Sequence, residues 1–306
     1  MHSRKPNPST FPNKPRLFSF PFLLSDQAME PHQNHPSADN PESHNQEDEA
    51  KNKTLQEEEE LMMDESSQEE IEEIIGYKFH DPSLLQQAFT DSSFKENCLS
   101  YERLEYIGDS VLNLLMAKEH YFLYPELLPG NLTKLRAANV NTEKLARVAV
   151  KCNLHKFLRH KKPLLSRQIQ EFSEAISAYP LHSTGLVAAP KVLADIVESL
   201  IGAIFLDSNS SLDTTWQVVK NLLQPMITLT TIKTHPVTKL HEICQKNGLK
   251  VEFVDMWKET GEIEVYVDHK YAGTGKYCSK RLIALNRAAA NAYNHILKKL
   301  STDGLI

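Results

Sequence analysis

Between Glu69 and about residue 230, apolar residues recur every three or four positions almost without a break, the spacing of helices that bury one face. "IEEIIGYKFHDPSLLQQAFT" predicts a short helix, a turn at Asp81-Pro82 and a second helix. "YERLEYIGDSVLNLLMAKEHY", Tyr101 to Tyr121, predicts a long apolar helix. "NLTKLRAANVNTEKLARVAVKCNLHKFL" carries the same period, with a fresh helix start at Thr142-Glu143, and "RQIQEFSEAISAYP" is a helix ended by proline. After the loop "LHSTGLVAAP" come "KVLADIVESLIGAIFLD" and "TTWQVVKNLLQPMI", again helical. No strand-like alternation interrupts this stretch, so residues 68–230 are expected to form an all-α domain.

After Pro236 the period changes. "VTKLHEICQKNG" is a helix stopped at Gly248. "KVEFVDMWKETGEIEVYVDHKYAGTGKY" alternates with period two and breaks at Thr260-Gly261 and Asp268-His269, which predicts three antiparallel strands. "SKRLIALNRAAANAYNHILKKL" is a long alanine-rich helix, so residues 235–301 read as a self-contained α-β-β-β-α module of α+β class. Residues 1–67 show neither period. They are proline- and asparagine-rich and then acidic, the composition of a disordered tail ahead of a multi-domain protein.

Charge alters the picture because it is unevenly spread. Residues 1–75 hold 6 Lys and Arg against 17 Asp and Glu, a net of −11, which leaves the remainder near +5 within a whole-chain charge of −6. The folded part is therefore mildly basic, as a phosphate-rich partner requires. No run of about 18 apolar residues is present, so no membrane partner is expected. Cys98, Cys152, Cys244 and Cys278 form no CxxC pair and fit a reducing compartment, the nucleus or cytoplasm. The first 25 residues are free of acids and hold Arg4, Lys5, Lys14 and Arg16, a weak likeness to an organellar leader that their prolines spoil.

The candidate chemistry lies in carboxylates on two apolar helices. Glu102, Glu105 and Asp109 fall on one face of the first, with Gly108 in its interior. Asp195 and Glu198 share a stripe with Gly202 on the second. If these helices pack, their acids converge, and the glycines allow close approach of a backbone or a ligand. Clustered carboxylates need a counter-charge, and an all-oxygen donor set suits a hard divalent cation, Mg²⁺ or Mn²⁺. Such a cation supports phosphodiester hydrolysis. On spacing alone the same acids also fit solvated helix faces.

"YERLEYIGDSVLNLLMAKEHY" resembles the signature stretch of the ribonuclease III family, "LADIVESLIGAIFLD" its second acidic motif, and "GNLTKLRAANVNTEKLARVA" the segment linking them. The three occur in the family's order over roughly residues 69–225, and the insertion "LLSRQIQEFSEAISAYPLHSTGL" is similar to that of plant members. The resemblance implies that Glu105, Asp109, Asp195 and Glu198 are metal ligands, with Asp109 and Glu198 indispensable, and that Glu102 lies near the substrate. It also implies an Mg²⁺-dependent endoribonuclease for which Mn²⁺ substitutes, leaving 5′-phosphate and 3′-hydroxyl ends, and a homodimer formed through this domain. One departure is Pro129, which stands before Gly130 where many members have a glutamate, so no auxiliary carboxylate is expected there.

The C-terminal module resembles a double-stranded RNA-binding domain, which reads the shape, phosphates and 2′-hydroxyls of A-form duplex. By position, Lys280, Arg281 and Arg287 of the last helix, with Lys276 just ahead, correspond to phosphate contacts, and Glu242 and Gln245 of the first helix to polar contacts. "KETGEI" lacks the proline and histidine, and "LIAL" the further lysine, that strong binders carry. Two functions remain open on these grounds: a nuclease for double-stranded RNA, or an RNA-binding processing cofactor whose nuclease domain is mainly a dimer scaffold.

Overall fold

The computed structural model describes residues 63–302. The leader-like segment and nearly all of the acidic tail lie outside this range. The first helix, α1 (Glu65–Ile75), starts inside the stretch that composition assigns to the tail. Asp64 caps it, accepting from Ser67 N at 2.5 Å and Ser67 Oγ at 2.9 Å, so part of the acidic run is a helix cap. Gly76, at φ +69°, ends α1 in the left-handed conformation and donates its N–H to the Glu72 carbonyl.

Asp81-Pro82 opens α2 (Pro82–Ala88), with Asp81 as cap and proline in the first turn. The long helix α3 (Glu102–Leu123) follows, then α4 (Pro129–Val140) and α5 (Thr142–Lys151), the last capped by Asn141. A 3₁₀ turn at Leu154–Phe157 leads to α6 (Leu165–Ile176), the helix of the insertion. The domain closes with α7 (Lys191–Asp207) and α8 (Leu212–Leu222). Asp207 ties the end of α7 to the α1–α2 turn, accepting from Tyr77 Oη at 2.7 Å and Asp81 N at 2.8 Å.

The central helix is α7. Leu193, Ile196, Val197, Leu200, Ile201 and Ile204 are all at 0 % exposure, which is why its sequence is apolar nearly all round, apart from the stripe of Asp195 and Glu198. Its main partner is α3. The two cross at their glycines: a Cβ on Gly108 would lie 1.8 Å from the Glu198 carbonyl oxygen, and one on Gly202 would lie 2.2 Å from that of Leu104. The neighbour that these glycines admit is therefore the facing helix backbone. The other side of α3 is uncovered, with Tyr106, Tyr121 and Phe122 at 79, 67 and 72 % exposure and Leu128 beyond the helix at 71 %.

A second, separate apolar cluster belongs to the C-terminal module. Its elements are α9 (Pro236–Lys246), β1 (Val251–Met256), a one-turn helix α10 (Trp257–Thr260), β2 (Glu262–Val267), β3 (Lys270–Lys276) and α11 (Arg281–Thr302). The sheet is antiparallel in the order β1-β2-β3. Asp268 and His269 form the two-residue β2–β3 turn with φ +48° and +62°, the paired positive angles that a tight hairpin needs. Ala284, Ala288, Ala289 and Ala292 of α11 are buried, and Gly273 and Gly275 of β3 let that helix sit directly on the sheet.

The two domains meet at the insertion loop. Asn286 Nδ2 donates to the Gly185 carbonyl at 2.8 Å and Arg287 Nε to that of Leu186 at 3.1 Å. Glu143 holds the loop from beneath, accepting from Ser183 N at 2.7 Å and Ser183 Oγ at 2.6 Å.

Candidate active site

The α3–α7 crossing brings acids from both helices to one place. Carboxylate oxygens of Glu105, Asp195 and Glu198 all lie within 4.8 Å of one another. Asp195 is 5 % exposed, and Glu105 and Glu198 are half-buried. Asp109 stands outside this trio. It is exposed and lines the same open depression as Glu102, Glu105, Tyr106, Ser110 and Glu198. Its Oδ1 accepts from Asn113 Nδ2 at 2.8 Å. The expected ring of four is thus three converging acids with a fourth at the rim, one turn further along α3. Glu102, one turn earlier on the same face, lines the rim as well.

The electrostatics show what such a cluster costs. Glu198 is pushed up to about 8 by burial first, then by the charges of Asp109, Asp195 and Glu105. Burial also raises Asp195, although Lys191 opposes it. Lys191 Nζ donates to Glu105 Oε1 at 2.8 Å and Asp195 Oδ1 at 2.6 Å, linking the two helices. Burial pulls the Lys191 pKa down, but those carboxylates raise it overall. Motif reading missed this cation, and its only signal was a lysine four residues before Asp195 on one helix face. With one ammonium against several carboxylates, the site remains a set of oxygen donors short of positive charge. That donor chemistry fits a hard divalent cation, which Glu105, Asp195 and Glu198 would hold.

The expected RNA-contacting residues do not all stand free. Lys280 is exposed at the approach to α11, and Glu242 and Gln245 are exposed on α9. Arg281, also exposed, donates from Nε to Asp255 Oδ2 at 2.6 Å, and Lys276 Nζ donates to Glu262 Oε1 at 2.7 Å. Arg287 faces the helical domain instead. Besides Leu186 it donates to the Lys276 carbonyl at 3.1 Å, and its guanidinium lies over the Tyr277 ring at 4.8 Å.

Residues 102–209 match the ribonuclease III domain family, and residues 236–296 match the double-stranded RNA binding motif. Ribonuclease 3-like protein 3 of Oryza sativa subsp. japonica is 47 % identical over 234 residues, covering 75 % of this chain and 78 % of that protein. The chain belongs to the ribonuclease III family. Ribonuclease 3-like protein 2 of the same plant is 40 % identical over 71 % of each chain. Endoribonuclease Dicer homolog 1 of Arabidopsis thaliana is 42 % identical over 237 residues, which are 75 % of this chain but 12 % of that much longer protein. The helical domain of this ribonuclease III-family protein and its RNA-binding module therefore stand in the order the sequence motifs indicate. The family is generally dependent on divalent metal. Among the described residues, no helix is long and apolar enough to cross a membrane.

Proposed function

We propose that this ribonuclease III-family protein is an endoribonuclease that cuts double-stranded RNA by divalent-metal-dependent hydrolysis of phosphodiester bonds, with Mg²⁺ as the working ion and Mn²⁺ as a substitute. The observation that carries the reading is the convergence of Glu105, Asp195 and Glu198 from two helices within 4.8 Å, in a chain that also holds a double-stranded RNA-binding domain. A bound divalent ion supplies charge stabilisation and lowers the pKa of water beside the scissile phosphate. The chain's own groups do the rest. Glu105, Asp195 and Glu198 would hold the ion, for which Glu198 would have to be ionised. Asp109 adds a carboxylate at the rim, and Glu102 faces the substrate approach. Lys191 bridges Glu105 and Asp195 across the two helices and offsets part of their charge until the ion takes its place. Water attacks phosphorus as the bond from phosphorus to the 3′ oxygen breaks, one water proton ending on that oxygen, which leaves 5′-phosphate and 3′-hydroxyl ends.

The uncovered side of α3, with Tyr106, Tyr121 and Phe122 exposed, supports a homodimer in which each protomer cuts one strand. The double-stranded RNA-binding motif supports duplex binding, with Lys280 exposed and Lys276 and Arg281 exposed but already paired. The test is cleavage of a long duplex RNA in Mg²⁺ by the wild type and by a double variant, Asp109→Ala with Glu198→Ala. The wild type is expected to cut and the variant to bind without cutting. Equal products from both would overturn the assignment, and binding without cleavage by the wild type would favour a processing cofactor.

A further inference from the structure

Asp109 is the acid the metal trio leaves out, and a chain of two hydrogen bonds runs from it to a different helix. Asn113, one turn along α3, donates from Nδ2 to Asp109 Oδ1 at 2.8 Å and to the Asp109 carbonyl at 2.9 Å. Its Oδ1 accepts from Arg136 NH1 of α4 at 2.5 Å. Both Asn113 and Arg136 are half-buried. Reaching back to a carbonyl four residues earlier is ordinary for a helical asparagine. The contact with Arg136 is what makes the arrangement specific. A guanidinium only donates, so only the amide oxygen can meet it, and the NH₂ end is forced toward Asp109. Without Arg136, the amide could turn over and present its oxygen to a carboxylate that would repel it.

We propose that Arg136 and Asn113 are positioning residues that fix the Asp109 carboxylate through one oxygen, Oδ1, and so present Oδ2 to the cation and the phosphate. This rests on the metal-dependent reading above. An anchored carboxylate loses less conformational freedom when it engages an ion, and partners that orient metal-binding carboxylates typically change affinity by roughly tenfold or more. The relay gives a physical role to the linking-segment helix α4, which contributes no acid to the site.

The test uses the full chain, freed of metal, with bound Mn²⁺ counted by electron paramagnetic resonance and thermal melting to show that each variant is folded. Asn113→Leu keeps the side-chain size and removes both hydrogen bonds, Arg136→Met removes the driver, and Arg136→Lys retains a donor. Asn113→Leu and Arg136→Met are each expected to weaken Mn²⁺ binding about tenfold or more, with the double variant no worse than the weaker single. In single-turnover cleavage both should lower the rate constant and leave the half-saturating duplex concentration unchanged, and Arg136→Lys should restore part of the loss. In an Asp109→Ala background the same substitutions should change nothing. Wild-type Mn²⁺ affinity in Asn113→Leu, multiplying effects in the double variant, or losses that persist in the Asp109→Ala background would each overturn the relay. Failure of the metal reading itself would look different: Glu105→Gln and Glu198→Gln would then also bind Mn²⁺ and cut as the wild type does, and the relay would fall with it.

Discussion

Gly108→Ala is the substitution that most directly tests how the site is built. The added Cβ would sit 1.8 Å from the Glu198 carbonyl oxygen, 2.7 Å from its carbon and 2.9 Å from the Gly202 nitrogen. A carbon–oxygen contact is relaxed only beyond about 3.2 Å, so α3 and α7 must separate by more than an ångström, and no side chain can rotate aside because all three obstacles are backbone. Overpacking of this kind costs roughly 1–3 kcal/mol and more where the neighbour cannot yield. For a domain of this size, about 3 kcal/mol lowers Tm by roughly 6–12 °C. The same displacement moves Glu198 and Asp195 away from Glu105, so metal binding suffers beyond the loss of stability. The assay is calorimetric melting with and without Mg²⁺, alongside duplex cleavage. We expect a lower Tm, loss of the Mg²⁺-induced rise and loss of cleavage. Gly130→Ala is the control, because nothing lies within 4 Å of its added Cβ; there the gain in helix propensity, up to about 1 kcal/mol, should leave Tm unchanged or higher. A Gly108→Ala protein that melts and cuts like the wild type would refute the crossing as the device that assembles the acids.

Glu198, raised to about 8 in the fold from the ordinary 4.5 of a free glutamate, binds a proton that the unfolded chain releases. The stability this brings to the metal-free protein is fully present below about pH 4.5 and is lost as pH rises through about 8. Mg²⁺ must displace that proton, so its affinity should climb by up to about tenfold per unit from pH 6 to 8, with proton release on binding; calorimetry in two buffers of different ionisation enthalpy measures both, and a flat profile would discredit the shifted Glu198. Lys191→Met removes a cation that competes for Glu105 and Asp195, so Mn²⁺ should bind more tightly, while metal-free stability falls by about 1 kcal/mol or less because Lys191 is largely exposed. Looser Mn²⁺ binding would contradict that competition. Asp255→Ala frees Arg281 and should tighten duplex binding and steepen its dependence on log salt by about 0.9, as read in a filter-binding titration; an unchanged slope would mean that Arg281 makes no phosphate contact.

The helices of this protein were legible because each apolar face is periodic and each boundary carries its own chemistry: Asp81-Pro82, Thr142, Pro236 and the Asp268-His269 turn all fall where composition places them. The acids were legible for the same reason, since a carboxylate inside an apolar stripe stands out. Long-range pairing was not. Lys191 bridging to Glu105 spans 86 positions, and Arg136 reaching Asn113 depends on how α4 lies against α3, neither of which a period reveals. The acid run hid only the first turn of α1, because a capping aspartate and a solvated tail share one composition until Ser67 is seen donating to Asp64. The partners of Arg287 were hidden in a subtler way. Its position in the module matches a phosphate contact, yet in the fold the insertion loop supplies a carbonyl, that of Leu186, to which it donates.

That loop has a mechanical consequence. Asn286 is 1 % exposed at the joint, and a side chain at Gly185, where φ is +83°, would fall 2.5 Å from its amide nitrogen. A domain seated on consecutive carbonyls through consecutive residues has a bearing, where one on a bare tether has only a reach. Leu186, which receives Arg287, is five positions ahead of Lys191, the first residue of α7. The RNA-binding domain is thereby joined to the segment that runs straight into the helix carrying Asp195 and Glu198. The insertion serves as a spacer with a fixed seat at one end and the acid-bearing helix at the other.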